Sequence, residues 1–181
     1  MLAQLWLPIV LGGVALFFAS FLSWMVLQLH KRDWNKVEQE DLLMDAIRRC
    51  GLTDGTSYMF PQGCDHKEMS SPEFQKKFLA GPRGCLTVCR PFSMGRNLPI
   101  TFVLFMIVTT VLAYLGTLGL PPGAAQGTVF QFFAIATFLV FVNGIVMHSV
   151  WFQVRIVGHL IEAAIFAVIL GGIFAQFWPT A

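Results

Sequence analysis

The stretch that decides the fold is LPITFVLFMIVTTVLAYLGTLGL, residues 98–120, which carries no charged side chain. A helix needs about 20 mainly apolar residues to cross a hydrocarbon core about 30 Å thick. Three further blocks, residues 2–29, 128–149 and 157–178, are of similar length and also strongly apolar. The sequence therefore predicts an all-α membrane protein, a bundle of four transmembrane helices.

The overall composition agrees with this class of protein. Of the 181 residues, 56% are hydrophobic and 12% are charged, whereas soluble domains are about 45–50% apolar. The first block has no Lys or Arg before residue 31 and exceeds the apolar part of a signal peptide, so we expect it to be retained. The predicted domains are residues 1–29 as transmembrane helix 1, residues 30–97 as a loop subdomain, and residues 98–181 with helices 2–4.

The basic residues indicate the orientation of the chain. Eleven of the twelve Lys and Arg residues lie between Lys31 and Arg96, and the loop at 118–127 has none. Basic residues near span ends stay on the cytoplasmic side, which predicts both termini outside and the loop at 30–97 inside. We interpret HKRDWNK, residues 30–36, as an orientation signal that can also touch lipid headgroups. Because residues 30–98 hold 11 basic and 9 acidic side chains, no nucleic-acid partner is expected.

The loop has the pattern of a small α+β subdomain. Helical spacing predicts a helix over 37–50 and a second over 71–81, the latter opening with Ser-Pro-Glu and closing on Gly. The segments at 57–60 and 85–89 are short and rich in aromatic or β-branched residues, which predicts paired strands. With few apolar residues of its own, the loop is expected to rest on the spans or on a partner.

All four cysteines fall in this loop, where a cytoplasmic location would keep them reduced. The metal hypothesis uses Cys64, His66, Cys85 and Cys89. The C-x-H and C-x₃-C spacings are not those of zinc knuckles, and two cysteines four residues apart on a strand stand about 13 Å apart. Idle or buried thiols are the competing interpretation, and a nucleophilic cysteine with His66 as base is a third. No cofactor is predicted.

Polar side chains also interrupt the last span, in RIVGHLIEAAIF, residues 155–166. At 100° per residue Arg155, His159 and Glu162 share one helix face, and His148 at the end of span three could join them. A carboxylate at this depth costs several kcal/mol unless it is paired, protonated or hydrated. The cluster either anchors span four at the interface, or forms a proton or ion relay, or lines a ligand or haem pocket.

Small residues recur at intervals of four in three of the spans, for example at Gly12 in the first, Thr109 in the second and Gly171 in the fourth. Such stripes allow helices to approach closely in lipid. They predict either close packing within the bundle or a docking face for another subunit.

Several short motifs occur in a fixed order: HKRDW after span one, YMFPQ and GPRG in the loop, SMGRNL before span two, and a terminal FWP. In these motifs the chain resembles a group of small bacterial inner-membrane proteins with four spans. The resemblance implies that the protein lies in a bacterial inner membrane, and it implies no activity, substrate or site residue. The cysteines do not belong to the shared pattern.

Three functional hypotheses follow. The first is a non-catalytic accessory or structural subunit of a larger membrane complex, whose partners are lipid and either other membrane subunits or copies of itself. The second is a small proton-linked transporter that uses Glu162 and His159, although the two halves show no internal repeat. The third is metal or thiol chemistry in the loop. The common enzyme motifs are missing, which favours a non-catalytic role and leaves catalysis open.

Overall fold

A computed structural model of the chain describes residues 1–180 and is mostly helical. The chain divides into two compact units: unit 1 comprises residues 1–35 and 93–180, and unit 2 comprises residues 36–92. Each unit has its own secondary structure.

Unit 1 contains four long helices. Their bounds are α1 (Trp6–Phe21), α5 (Met94–Gly119), α6 (Gln126–Phe152) and α7 (Val157–Phe177). Helices α2 to α4 are the short helices of unit 2, which lie between α1 and α5 in the sequence. A 3₁₀ turn at Leu2–Leu5 precedes α1, and a π-helical turn at Leu22–Val26 extends it. All four helices are long and apolar enough to cross a membrane, as the hydropathy of the sequence predicts.

The helices of unit 1 pack in a defined order. Helix α1 contacts both α5 and α7, and α6 packs along α7. At Gly12 a Cβ atom would stand 2.7 Å from a methyl group of Leu170 and 2.9 Å from that of Thr109, so a larger residue there would displace these side chains. The small residues Gly12, Thr109 and Gly171 are buried inside unit 1. They therefore serve packing within the bundle.

Aromatic side chains fill much of the interior between α6 and α7. The rings of Phe133 and Phe174 are stacked, with centroids 3.9 Å apart, and both side chains are fully buried. Trp178 packs beside Phe133 and donates a hydrogen bond of 2.9 Å to the carbonyl of Pro121. This contact ties the end of α7 to the turn between α5 and α6.

Unit 2 contains α2 (Glu40–Arg49), β1 (Thr56–Phe60), α3 (His66–Met69), α4 (Pro72–Ala80) and β2 (Gly84–Val88). The two strands pair antiparallel, with Tyr58 opposite Leu86, and this confirms the predicted pairing. Helix α4 begins where the sequence predicts, because the Ser71 hydroxyl accepts a hydrogen bond from the Phe74 amide. The short helix α3 is not anticipated by the sequence. The structure thus confirms the small α+β character of the loop.

Candidate functional site

The site is built by two segments of unit 1 that are far apart in sequence. One is the turn that follows the extended first helix, in which the Lys31 amide bonds to the Gln28 carbonyl and the Asp33 amide bonds to the His30 carbonyl. Gln28 adopts a left-handed conformation, with φ of 50°, and so redirects the chain. The other segment is the first two turns of α7, which carry His159 and Glu162.

Gly158 lets these two segments touch. A Cβ atom at this position would stand 2.8 Å from the carbonyl oxygen of Leu29 and 3.1 Å from Nδ1 of His30. Both distances are shorter than ordinary van der Waals contact. A glycine at the start of α7 therefore decides how closely the turn approaches the helix.

Four side chains meet at this contact, and we call them the His–carboxylate cluster: His30, Asp33, His159 and Glu162. His30 Nδ1 lies 2.8 Å from Asp33 Oδ2, and His159 Nε2 lies 3.7 Å from the same oxygen. On its other side, His30 Nε2 lies 3.5 Å from Glu162 Oε2. The imidazole of His30 therefore bridges the two carboxylates.

The cluster is largely removed from solvent. His30 is 3% exposed and Glu162 is 9% exposed. The ring of Trp24 stacks on His30 with centroids 4.0 Å apart and also meets the edge of His159. Trp24 and His30 border an open cavity of about 350 Å³ beside the turn, which Gln28 and Lys31 also line.

The burial leaves polar atoms without hydrogen bonds. Within residues 1–180, Nε2 of His30 and Oε1 of Glu162 are both buried and unpartnered, because the contact between the two side chains lacks hydrogen-bond geometry. In the same described part of the chain, no Lys or Arg forms a salt bridge with either carboxylate of the cluster. The buried Glu162 and the partly buried Asp33 thus face two imidazoles, and in the described residues no Lys or Arg pairs with either acid.

The structure distributes the four predicted site residues unevenly. His159 and Glu162 belong to the cluster, whereas Arg155 donates a hydrogen bond to the backbone carbonyl of Arg32. His148 is exposed on α6, and its ring packs on Phe152 at 4.5 Å between centroids. In the described residues no hydrogen bond or ion pair joins His148 to the others. A proton-linked transporter using Glu162 and His159 stays a prediction.

The cysteines of unit 2 do not gather around a common point. All four are exposed thiols, and among residues 1–180 no three of Cys64, His66, Cys85 and Cys89 bring their ligand atoms within 4.8 Å of one another. His66 instead lies near the hydroxyl of Ser70 at 3.5 Å. This arrangement gives no support to metal chemistry in the loop, and thiol chemistry there stays a prediction.

Sequence reasoning missed His30 and Asp33 as site residues. Both lie in the basic segment at 30–36, which was interpreted as an orientation signal. The same residue spacing nevertheless occurs twice in the sequence. His30 and Asp33 form a His-x-x-acid pair directly after span one, and His159 and Glu162 form another at the start of span four. For a protein with both termini on one side, these two positions fall at the same end of the bundle.

Comparisons with known proteins add no relative to this description. No protein-family model, no curated protein and no solved structure matches the chain.

Proposed function

We propose that this chain is a multi-pass protein of the bacterial inner membrane and a non-catalytic accessory subunit of a larger membrane complex. The four long apolar helices support membrane insertion. The basic residues between Lys31 and Arg96 support an orientation with both termini outside and unit 2 in the cytoplasm.

The observation that carries the accessory role is an uncovered apolar face on α2. Leu42, Ala46, Cys50, Leu43 and Ile47 fall within an arc of about 140° on a helical wheel. Leu42 is 65% exposed and Leu43 is 39% exposed. In the whole of unit 2 only Gly63 is buried. Within unit 2 this face therefore lacks the cover that an amphipathic helix normally has.

The polar side of α2 favours a protein as the cover. Helices that lie on anionic membranes carry Lys and Arg on the polar face. Here that side holds three acids, Glu40, Asp41 and Asp45, against Arg48 and Arg49. A hydrophobic groove on another subunit, which takes an amphipathic helix by its apolar stripe, fits this pattern better than a lipid surface.

Helix α6 gives further support. Asn143 and His148 are exposed on this apolar helix, and nothing lies within 4 Å of a Cβ atom added at Gly144 between them. A polar side chain that faces lipid has no hydrogen-bond partner there, whereas a neighbouring helix can supply one. An outward polar and glycine surface on a membrane helix is therefore suited to contact with another subunit.

The test is native extraction of the tagged full chain in mild detergent, with quantitative mass spectrometry of whatever co-migrates. We expect one or more membrane proteins at a constant ratio to the chain. Leu42→Glu should lower that ratio at least tenfold. Met44→Glu, on the same helix but about 130° from the centre of the apolar face, should leave it unchanged.

Two results would contradict the proposal. One is a wild-type chain that runs alone or only with copies of itself. The other is an equal loss of partner in both variants, which would mean that added charge, and not the apolar face, is responsible.

A further inference from the structure

We propose that the His–carboxylate cluster is a binding site for one divalent transition-metal ion of the zinc class, held by His30, Asp33 and His159 with Glu162 behind His30. The inference is independent of the accessory role. It concerns unit 1 alone and would hold whatever partner covers α2.

The first support is that the ligand atoms of three side chains lie close together. One ligand atom from each of His30, Asp33 and His159 can be chosen so that no pair is more than 4.8 Å apart. Two ligands on a tetrahedral ion, each at about 2.0–2.1 Å from it, stand roughly 3.3 Å apart. The contacts of 2.8 Å and 3.7 Å from Asp33 Oδ2 to the two imidazoles lie on either side of that value. Shifts of about half an ångström would place both pairs at ligand spacing.

The second support is electrostatic. Asp33 and Glu162 are acids in a poorly hydrated site, and removing an ionised carboxylate from water without a partner costs several kcal/mol. Arg155 is directed to the Arg32 carbonyl, and among residues 1–180 no Lys or Arg pairs with either acid. In the metal-bound form, two ionised carboxylates beside two neutral imidazoles would carry two negative charges, which one divalent cation would balance.

The third support is the position of Glu162. When Nδ1 of His30 binds the ion, Nε2 carries the proton and points at Glu162 Oε2, 3.5 Å away. A carboxylate behind a ligating histidine is the usual arrangement in metal sites, because it fixes the tautomer and the ring orientation. Closing this distance gives the unpartnered Nε2 of His30 an acceptor. Glu162 is thus a positioning residue.

The donor set defines the class of ion. Two imidazoles and a carboxylate suit zinc, iron, cobalt or nickel better than calcium or magnesium, which prefer oxygen ligands alone. Three protein ligands leave a coordination position for water. The bound ion would clamp the turn after α1 onto the start of α7.

The experiment uses the full chain, purified in detergent through a tag without histidine. The chain is stripped with a chelator, and its exposed thiols are alkylated so that they cannot bind metal. Co²⁺ is then titrated, with visible absorption and calorimetry as readouts, and Zn²⁺ is added in competition. We expect one Co²⁺ per chain, the visible bands of a four- or five-coordinate ion, and complete displacement by Zn²⁺.

Matched variants test which residues bind. His30→Gln and His159→Gln should each lower Co²⁺ affinity at least tenfold, and Glu162→Gln should lower it by about 10–100-fold, the range for a residue behind a ligand. His148→Gln, which changes the exposed histidine on α6, should have no effect. Helix content by circular dichroism shows whether each variant is folded.

One further measurement needs no variant. X-ray absorption at the zinc edge of the wild-type chain should show about two imidazoles and a carboxylate oxygen around the ion. The proposal is overturned when wild-type chain binds no more Co²⁺ than His159→Gln, when His148→Gln loses as much affinity as the cluster variants, or when the spectrum lacks imidazole scattering.

Discussion

Replacement of Gly158 by alanine tests the closest approach in unit 1. The new Cβ atom would stand 2.8 Å from the Leu29 carbonyl oxygen and 3.2 Å from His30 Cε1. The first contact is to backbone, so no rotation of a side chain relieves it. The turn must retreat from α7 by about 0.6 Å before the contact reaches an ordinary van der Waals distance.

The expected magnitude combines two opposing effects. Overpacking of a well-packed site costs about 1–3 kcal/mol, while alanine in place of glycine stabilises a helix by at most about 1 kcal/mol. We therefore expect Gly158→Ala to lower the free energy of unfolding by about 1–2 kcal/mol. Gly172→Ala makes the same chemical change in α7, where nothing lies within 4 Å of the added atom. That control should be neutral or slightly stabilising.

The assay is equilibrium unfolding in mixed micelles with increasing SDS, followed by tryptophan fluorescence and circular dichroism, in the presence of a chelator. The two variants should differ by about 2 kcal/mol, which is the overpacking cost alone, because both changes gain the helix propensity of alanine. Equal stability of Gly158→Ala and Gly172→Ala would refute the reasoning, since the turn would then not lie against α7 as described.

Three further predictions concern other parts of the chain. Phe133→Ala should lower the free energy of unfolding by roughly 2–4 kcal/mol in the same assay, somewhat less than in a water-surrounded core because the unfolded helices stay in lipid; a loss below 1 kcal/mol would contradict the buried stack. Ser71→Ala removes the cap of α4, which costs about 1 kcal/mol, and should raise the hydrogen-exchange rate of the Phe74 amide about fivefold, with an unchanged rate as the contrary result. A membrane-impermeant maleimide should label the four cysteines in inverted vesicles and not in intact cells, and the reverse pattern would overturn the proposed orientation.

Much of the secondary structure follows from the sequence because the physical constraints are local. A run such as 98–120 has few alternatives to a helix in lipid, where every backbone group must bond within its own segment, and the structure has a helix at Met94–Gly119. The start of α4 follows from one capping hydroxyl at Ser71. These features need no knowledge of the rest of the chain.

The packing order of the helices could not be predicted in the same way. The four long helices are apolar on nearly every side, so the contrast between a buried and an exposed face, which orients helices in soluble proteins, is weak. The small residues show where close approach is possible but do not identify the neighbour. Gly12 is compatible with any adjacent helix, and only the structure places Thr109 and Leu170 against it.

The His–carboxylate cluster shows the same limit at a single site. Helical spacing alone places His159 and Glu162 on one face, but it offers Arg155 and His148 as partners because these are near in sequence. The structure instead supplies His30 and Asp33 from across the chain. Their proximity depends on Gly158. Because glycine has no side chain, the sequence gives no sign that this residue belongs to a site. The two His-x-x-acid pairs thus meet at one end of the bundle, although nothing in the local sequence of either pair identifies the other as its partner.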